Sequence, residues 1–134
     1  MKNIYDKIEE SRKTGEIEFF IEERRDDYVI STMPVKEGIL NPFGTVHAGA
    51  MLWLADVTAT VLALGDVEIG PDGKGFPLAI NLSTSLLGNQ REGRIKAEAR
   101  FVRNGKRVKV VRTRVTGDTG RLLADVTTTH IPAT

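Results

Sequence analysis

The segment Ala48–Leu64, AGAMLWLADVTATVLAL, constrains the chain more than any other. It is seventeen residues of nearly unbroken apolar character, with one charged side chain, Asp56, near its middle. A membrane span needs about 20 apolar residues, and a carboxylate at its centre is costly. In water, a helix that is apolar almost all round must be enclosed rather than laid on a surface. The segment from His47 to Leu64 therefore reads as the buried helix of a soluble protein, and the rest of the chain must supply what encloses it.

The remaining sequence is strand-like. In Glu16–Glu22, Ile17, Phe19 and Ile21 alternate with Glu16, Glu18 and Glu22, the pattern of a half-buried strand. Asp26-Asp27 makes a turn into a second strand, Tyr28–Val35. A loop punctuated by Gly38, Pro42 and Gly44 leads to the helix, and the turn-rich Gly65–Gly75 follows it. Four strands come next. Phe76–Leu87 carries Phe76, Leu78, Ile80, Leu82 and Leu86 at even positions. Arg94–Arg103 alternates Ile95, Ala97, Ala99 and Phe101 with Lys96, Glu98 and Arg100. Asn104-Gly105 predicts a type I′ hairpin. Lys106–Thr116 slips its alternation near Val110-Val111, as at a bulge. Arg121–His130 closes the chain after the turn Gly117–Gly120. At the other end, Asn3–Thr14 reads as a short helix capped by Asn3 and stopped by Gly15, with Ile4 and Ile8 on one face.

With one long helix there are no crossovers for a parallel sheet. The expectation is an α+β fold, an antiparallel sheet of about five to six strands curled around the helix, as a single domain over residues 1–134. That length can bury a core unaided. The chain has no cysteine, which excludes disulfides, thiolate metal sites and a cysteine nucleophile. Met1–Thr14 is too polar for a signal peptide, and the expected location is cytoplasmic. Charge is uneven: residues 1–37 hold seven Lys/Arg against ten Asp/Glu, and residues 91–114 hold ten against two. A basic stretch can meet phosphates. Phe101 is the one aromatic residue interleaved there, so a nucleic-acid partner ranks last. No membrane partner is expected.

Asp56 is the first candidate for chemistry. A buried carboxylate is costly unless paired or hydrogen-bonded. Taken alone, Asp56 suits a general base and a structural carboxylate equally. Asn41-Pro42-Phe43-Gly44-Thr45-Val46-His47-Ala48-Gly49 adds a side-chain amide, an imidazole and a glycine around the start of the helix. Free N–H groups there, and the helix dipole, favour a developing negative charge. Asp56 lies nine residues beyond His47, about 13 Å of rise. One chain cannot easily bring both to the same carbonyl. Two chains can, each site taking the helix start of one and the Asp of the other.

These residues resemble a known family. NPFGTVHAGAMLWLADVTATVLAL is similar to the signature of the hotdog-fold acyl-CoA thioesterases, in particular the phenylacetate-pathway subfamily: Asn, a short gap, Gly, an apolar residue, His-Gly-Gly, then Leu-Ala-Asp or a close variant. The spacing of Asn41, His47 and Asp56 fits without a gap, and the resemblance runs from about Ile17 to the end. It implies a hotdog fold and hydrolysis of an acyl-CoA thioester. It gives Asn41 and the Ala48 N–H as donors to the carbonyl, Asp56 as general base or nucleophile, and His47 as shaper of the loop. Ala48 stands where the family's first glycine would be, which leaves the N–H in place. Ala79 stands where some relatives carry a Ser or Thr that holds water. Thr60, one turn beyond Asp56, is the substitute, unless its hydroxyl bonds its own helix.

Gly49 belongs to the same helix start. Trp53 is either a wall of an acyl pocket or a core residue. Arg91, Arg94, Arg103, Lys106 and Arg107 are candidates for the coenzyme A phosphates. Coenzyme A is part of the substrate, and neither a separate cofactor nor a metal is expected. The implied assembly is a homodimer or homotetramer with sites at the subunit interface. The alternatives are a non-catalytic acyl-CoA-binding hotdog protein and a hotdog dehydratase. The latter carries its Asp before its His, against the order here.

Overall fold

The structure, a computed structural model, describes residues 3–10 and 15–134. Six strands form one antiparallel sheet: β1 (Phe20–Arg24), β2 (Tyr28–Pro34), β3 (Pro77–Leu86), β4 (Arg94–Asn104), β5 (Lys109–Thr116) and β6 (Leu122–Pro132), in the spatial order β1-β2-β4-β5-β6-β3. Helix α1 spans Ile4–Glu10 and α2 spans Ala48–Leu64. The sheet curls around α2 as expected. Val29, Ser31 and Met33 of β2, Ile95, Ala97 and Ala99 of β4, and Val111, Thr113 and Val115 of β5 are buried beneath it. The small residues Ala97 and Ala99 leave room for Met51, Leu54 and Leu62 of the helix, so large and small side chains interlock.

The sheet covers one side of α2 only. Ala50, Met51, Leu54, Ala55, Thr58, Ala59, Leu62 and Ala63 are buried, whereas Leu52, Trp53, Asp56, Val57, Thr60, Val61 and Leu64 are half-buried. A helix apolar all round thus keeps a second apolar face half-open in the single chain. Thr58 settles its polarity inside the core, donating to Leu54 O at 2.6 Å and sharing a hydrogen bond with Ser31 Oγ. No helix among the described residues is long and apolar enough to cross a membrane.

Several local expectations are corrected. β1 begins at Phe20, not Glu16, and its register shifts between Ile21 and Glu23, so Ile17 and Ile21 remain exposed and only Phe19 is drawn in. β1 is the sheet edge, and among the described residues no strand lies beyond it to bury them. The expected helix 3–14 is seen over Ile4–Glu10, where Asn3 Oδ1 caps by accepting the Asp6 N–H at 2.9 Å; residues 11–14 lie outside the described residues. The face shared by Ile4 and Ile8 is exposed.

Asn104-Gly105 does not form a two-residue type I′ turn. Asn104 pairs with Lys109, and the Gly105 N–H donates to Val108 O, placing Lys106-Arg107 at the tip. Gly105 serves another purpose: a Cβ there would sit 2.6 Å from Val108 O. The slip near Val110-Val111 is real, but the extra residue is Val102 on β4, between the pairs Phe101↔Val111 and Arg103↔Val110.

β3 departs most from its pattern. Its register breaks between Ala79 and Asn81, so the even positions do not share a face. Leu82 lies opposite the buried Thr128 and Leu86 opposite the buried Ala124, on the helix side; Leu78 lies opposite Ile131 on the other. Leu78, Ile80, Leu82 and Leu86 are all 43–57% exposed. β3 has β6 on one side and, among the described residues, no strand on the other.

Candidate active site

The loop before α2 is built by its own hydrogen bonds. Leu40 and Val46 form an isolated antiparallel bridge, Asn41 N–H donates to Thr45 O at 2.8 Å, and Gly44 N–H returns to Asn41 O at 3.0 Å. The Asn41 side chain closes the turn from inside. Its Oδ1 accepts from the N–H groups of Phe43 (2.9 Å) and Thr45 (3.2 Å), and its Nδ2 donates to Thr45 Oγ1 at 2.7 Å. Asn and Asp favour such turns because the short side chain reaches backbone two residues on. One Nδ2 hydrogen is left to point elsewhere.

His47 is the N-cap of α2, exposed, and makes no side-chain capping bond. Its backbone carries the structure. The His47 N–H donates to Ile39 O at 2.9 Å, and its carbonyl accepts the Ala50 N–H at 3.0 Å. The N–H groups of Ala48 and Gly49 then find no acceptor among the described residues, as the first turn of a helix dictates. A Cβ at Gly49 would meet nothing within 4 Å, so the approach to this helix end is open. Alanine is the better helix former by up to about 1 kcal/mol. Gly49→Ala should therefore hold or raise the melting temperature. Its methyl group enters the space an incoming carbonyl needs, and kcat/KM should fall about tenfold or more. A variant with full activity would show that nothing docks there.

Asp56 sits on the half-open face of α2. Its Oδ1 is buried and has no hydrogen-bond partner among the described residues. Thr60 shares its face, four residues on. The Thr60 hydroxyl makes no hydrogen bond with any described residue; the threonine that bonds back to its own helix is Thr58. Asp56 and Thr60 line one cleft of about 310 Å³ with Val57, Val61, Leu64 and Phe76. A buried carboxylate oxygen with no partner among the described residues and a hydroxyl that bonds none of them, among apolar walls, form a place for water or a polar reacting group.

Asp56 and the Ala48 N–H, eight residues apart on one helix, are separated by about 12 Å of rise. Trp53 is not among the residues lining the cleft. It packs edge-on against Phe19, with centroids 5.4 Å apart, beside the core.

The five basic candidates do not form one patch. Arg94 and Arg103 are nine residues apart on β4, about 30 Å. Arg94 donates to Thr32 Oγ1 and lies over the Phe20 ring. Arg91 donates from Nη1 to Phe43 O at 2.7 Å, in the loop before α2. Lys106 and Arg107, at the opposite end, line a groove of about 200 Å³ with Leu64, Val67, Pro77 and His130. Leu64 borders both this groove and the Asp56 cleft.

His130, for which the sequence suggested no role, is buried and doubly bonded. Its Nδ1 faces Pro77 O at 3.2 Å, which makes Nδ1 the donor, and Nε2 pairs with Thr128 Oγ1 at 2.7 Å. It ties the start of β3 to β6. No residue pattern in the sequence signals this, because the partner is a backbone carbonyl 53 positions away.

The sequence model of the thioesterase superfamily matches residues 43–124. A 1,4-dihydroxy-2-naphthoyl-CoA hydrolase of Escherichia coli is 26% identical over 113 residues, covering 84% of this chain and 80% of that protein. The enzyme of the same name from Listeria monocytogenes is 32% identical over 91 residues, covering 68% and 71%. A hypothetical thioesterase of Streptococcus pneumoniae, crystallised with coenzyme A, superposes with a TM-score of 0.75 at 20% identity, covering 87% of this chain and 86% of that one.

Proposed function

From the premise that the chain belongs to the thioesterase superfamily, with its hotdog fold, we propose that it hydrolyses an acyl-CoA thioester to the free acid and coenzyme A. The observation that carries the proposal is the buried Asp56 Oδ1, without a partner among the described residues, in an apolar cleft that Thr60 also lines. The thioester carbonyl rests on the Ala48 N–H, with the spare Asn41 Nδ2 hydrogen as second donor. Water held by Asp56 and Thr60 attacks the carbonyl carbon, and Asp56 takes its proton. The tetrahedral oxyanion collapses, the C–S bond breaks, and the thiolate leaves as coenzyme A. An attack by Asp56 itself, through an anhydride, uses the same placement. His47 acts through its backbone.

The 12 Å between Ala48 and Asp56 on one helix calls for two chains, and the structure offers a surface for the second. β3 presents a free backbone edge with Leu78, Ile80 and Leu82 exposed along it, a ready template for another strand. The half-open face of α2 needs cover as well. The proposed assembly is a homodimer, or a dimer of dimers, joined along β3. The apolar walls Val57, Val61, Leu64 and Phe76 suit an apolar acyl group, and the naphthoyl-CoA hydrolases among the relatives make an aromatic one the first to try. Membership in the phenylacetate-pathway subfamily is part of the proposal and rests on the motif.

The phosphates of coenzyme A are assigned to Lys106 and Arg107, because their groove adjoins the cleft at Leu64. A remote phosphate is bound alike in ground and transition states. Lys106→Glu and Arg107→Glu should therefore raise KM about tenfold and change kcat little. Arg94→Glu, occupied with Thr32 and Phe20, should leave KM near wild type. The reverse pattern moves the phosphates to the other end of the sheet.

The test of function is thiol release from a panel of aromatic, medium-chain and long-chain acyl-CoAs. The chain has no cysteine, so a thiol reagent reads only the product. Saturable binding of acyl-CoA without thiol release would make this a binding protein instead.

A further inference from the structure

Building on the hydrolase reading, we propose that Asn89 is a positioning residue: its side-chain amide clamps the Val46 peptide groups and so sets the direction of the Ala48 N–H. Asn89 lies just beyond β3, and the sequence assigned it no role. Its Nδ2 donates to Val46 O at 2.8 Å, and its Oδ1 accepts the Val46 N–H at 3.0 Å and the Gln90 N–H at 2.8 Å. The amide thus pairs with Val46 from both sides, as a neighbouring strand would.

The consequence falls on the peptide plane between Val46 and His47. Its carbonyl is held by Asn89 and its N–H by Ile39 O at 2.9 Å. The next peptide plane carries the Ala48 N–H. With one plane pinned at both ends, few torsions remain to misdirect the next. The Val46 N–H keeps a second acceptor, Gln90 O at 3.1 Å, so the partner at stake is that of the Val46 carbonyl; Val46 is 1% exposed, and water cannot replace it.

The clamp has its own foundation. Arg91, two residues on, donates to Phe43 O in the same loop. Gln90 turns the other way. Its Nε2 donates to Glu92 O (2.6 Å) and Arg94 O (2.9 Å), and its Oε1 accepts the Asp118 N–H at 2.9 Å. Residues 89–91 therefore join the loop before α2 to the start of β4 and the β5–β6 turn.

The test uses the full-length protein with its best acyl-CoA, well below each variant's melting temperature. Asn89→Leu removes all three bonds. Asn89→Asp keeps the two that Oδ1 accepts and loses the one Nδ2 donates. Both should lower kcat by about 10–100-fold, with KM and the inhibition constant of free coenzyme A within about threefold of wild type, because the lost alignment matters only in the transition state. The Ala48 amide resonance should shift in both. A purely structural Asn89 would lower the melting temperature and leave kcat of the folded enzyme unchanged, overturning the proposal. So would a rise in KM with kcat intact. If Asn89→Leu does not fold, Asn89→Asp decides by the same criteria. A wild-type protein that releases thiol from no acyl-CoA overturns the hydrolase reading and the clamp with it; an active wild type with fully active Asn89 variants overturns the clamp alone.

Discussion

Asp56→Asn should lower kcat by about 10²–10⁴-fold, the usual worth of a general base, and leave the melting temperature unchanged or higher. The substitution keeps size and shape and removes basicity. Among the described residues Asp56 Oδ1 is buried and accepts no hydrogen bond, so no described donor loses its acceptor there. A neutral amide is also easier to keep in an apolar setting than a carboxylate. Thiol release measured beside a thermal melt checks both halves. An Asp56→Asn protein that melts early yet turns over at near wild-type rate would refute the catalytic role and make Asp56 a structural carboxylate.

A charge on the free edge should be as damaging, by another route. Leu82→Asp combined with Ile80→Asp should convert the assembly to monomers and abolish turnover. Both side chains are half open to solvent in the single chain, 43% and 57% exposed, so the monomer tolerates the change. Fully burying one large apolar side chain is worth about 1.5–3 kcal/mol. A two-fold interface contains each residue twice, so the loss per position is about 3–6 kcal/mol, or about 10²–10⁴-fold in the dissociation constant. Turnover should go with it if, as proposed, the carbonyl donors and Asp56 of one site come from two chains. Sedimentation and the dependence of specific activity on protein concentration are the measurements. A wild-type protein that is monomeric and fully active at micromolar concentration contradicts the shared site.

Much of this architecture is written in local pattern. The helix declares itself because an apolar run of this length has few places to go, and the alternation in β2, β4 and β6 is the alternation of a sheet with one face on a core. The Asn41–His47–Asp56 spacing points to the family, and the family match over residues 43–124 spans His47 and Asp56, with Asn41 just before it. Thr60 beside Asp56 follows from helical periodicity alone.

What the tertiary structure decided is of a different kind. It split the basic residues between the two ends of β4, because a strand of eleven residues is longer than the local charge count suggests. It broke the face of β3 at Ile80, since a bulge reverses every side chain beyond it and no composition announces one. It drew the Asn41 amide into its own turn, moved the work of Gly105 from a positive φ to a close approach, and set Asn89 against Val46 and His130 against Pro77, each across more than forty positions. Sequence periodicity registers which face a side chain shares with its neighbours. A hydrogen bond between a side chain and a distant backbone group has no period, and exists only once the chain has folded.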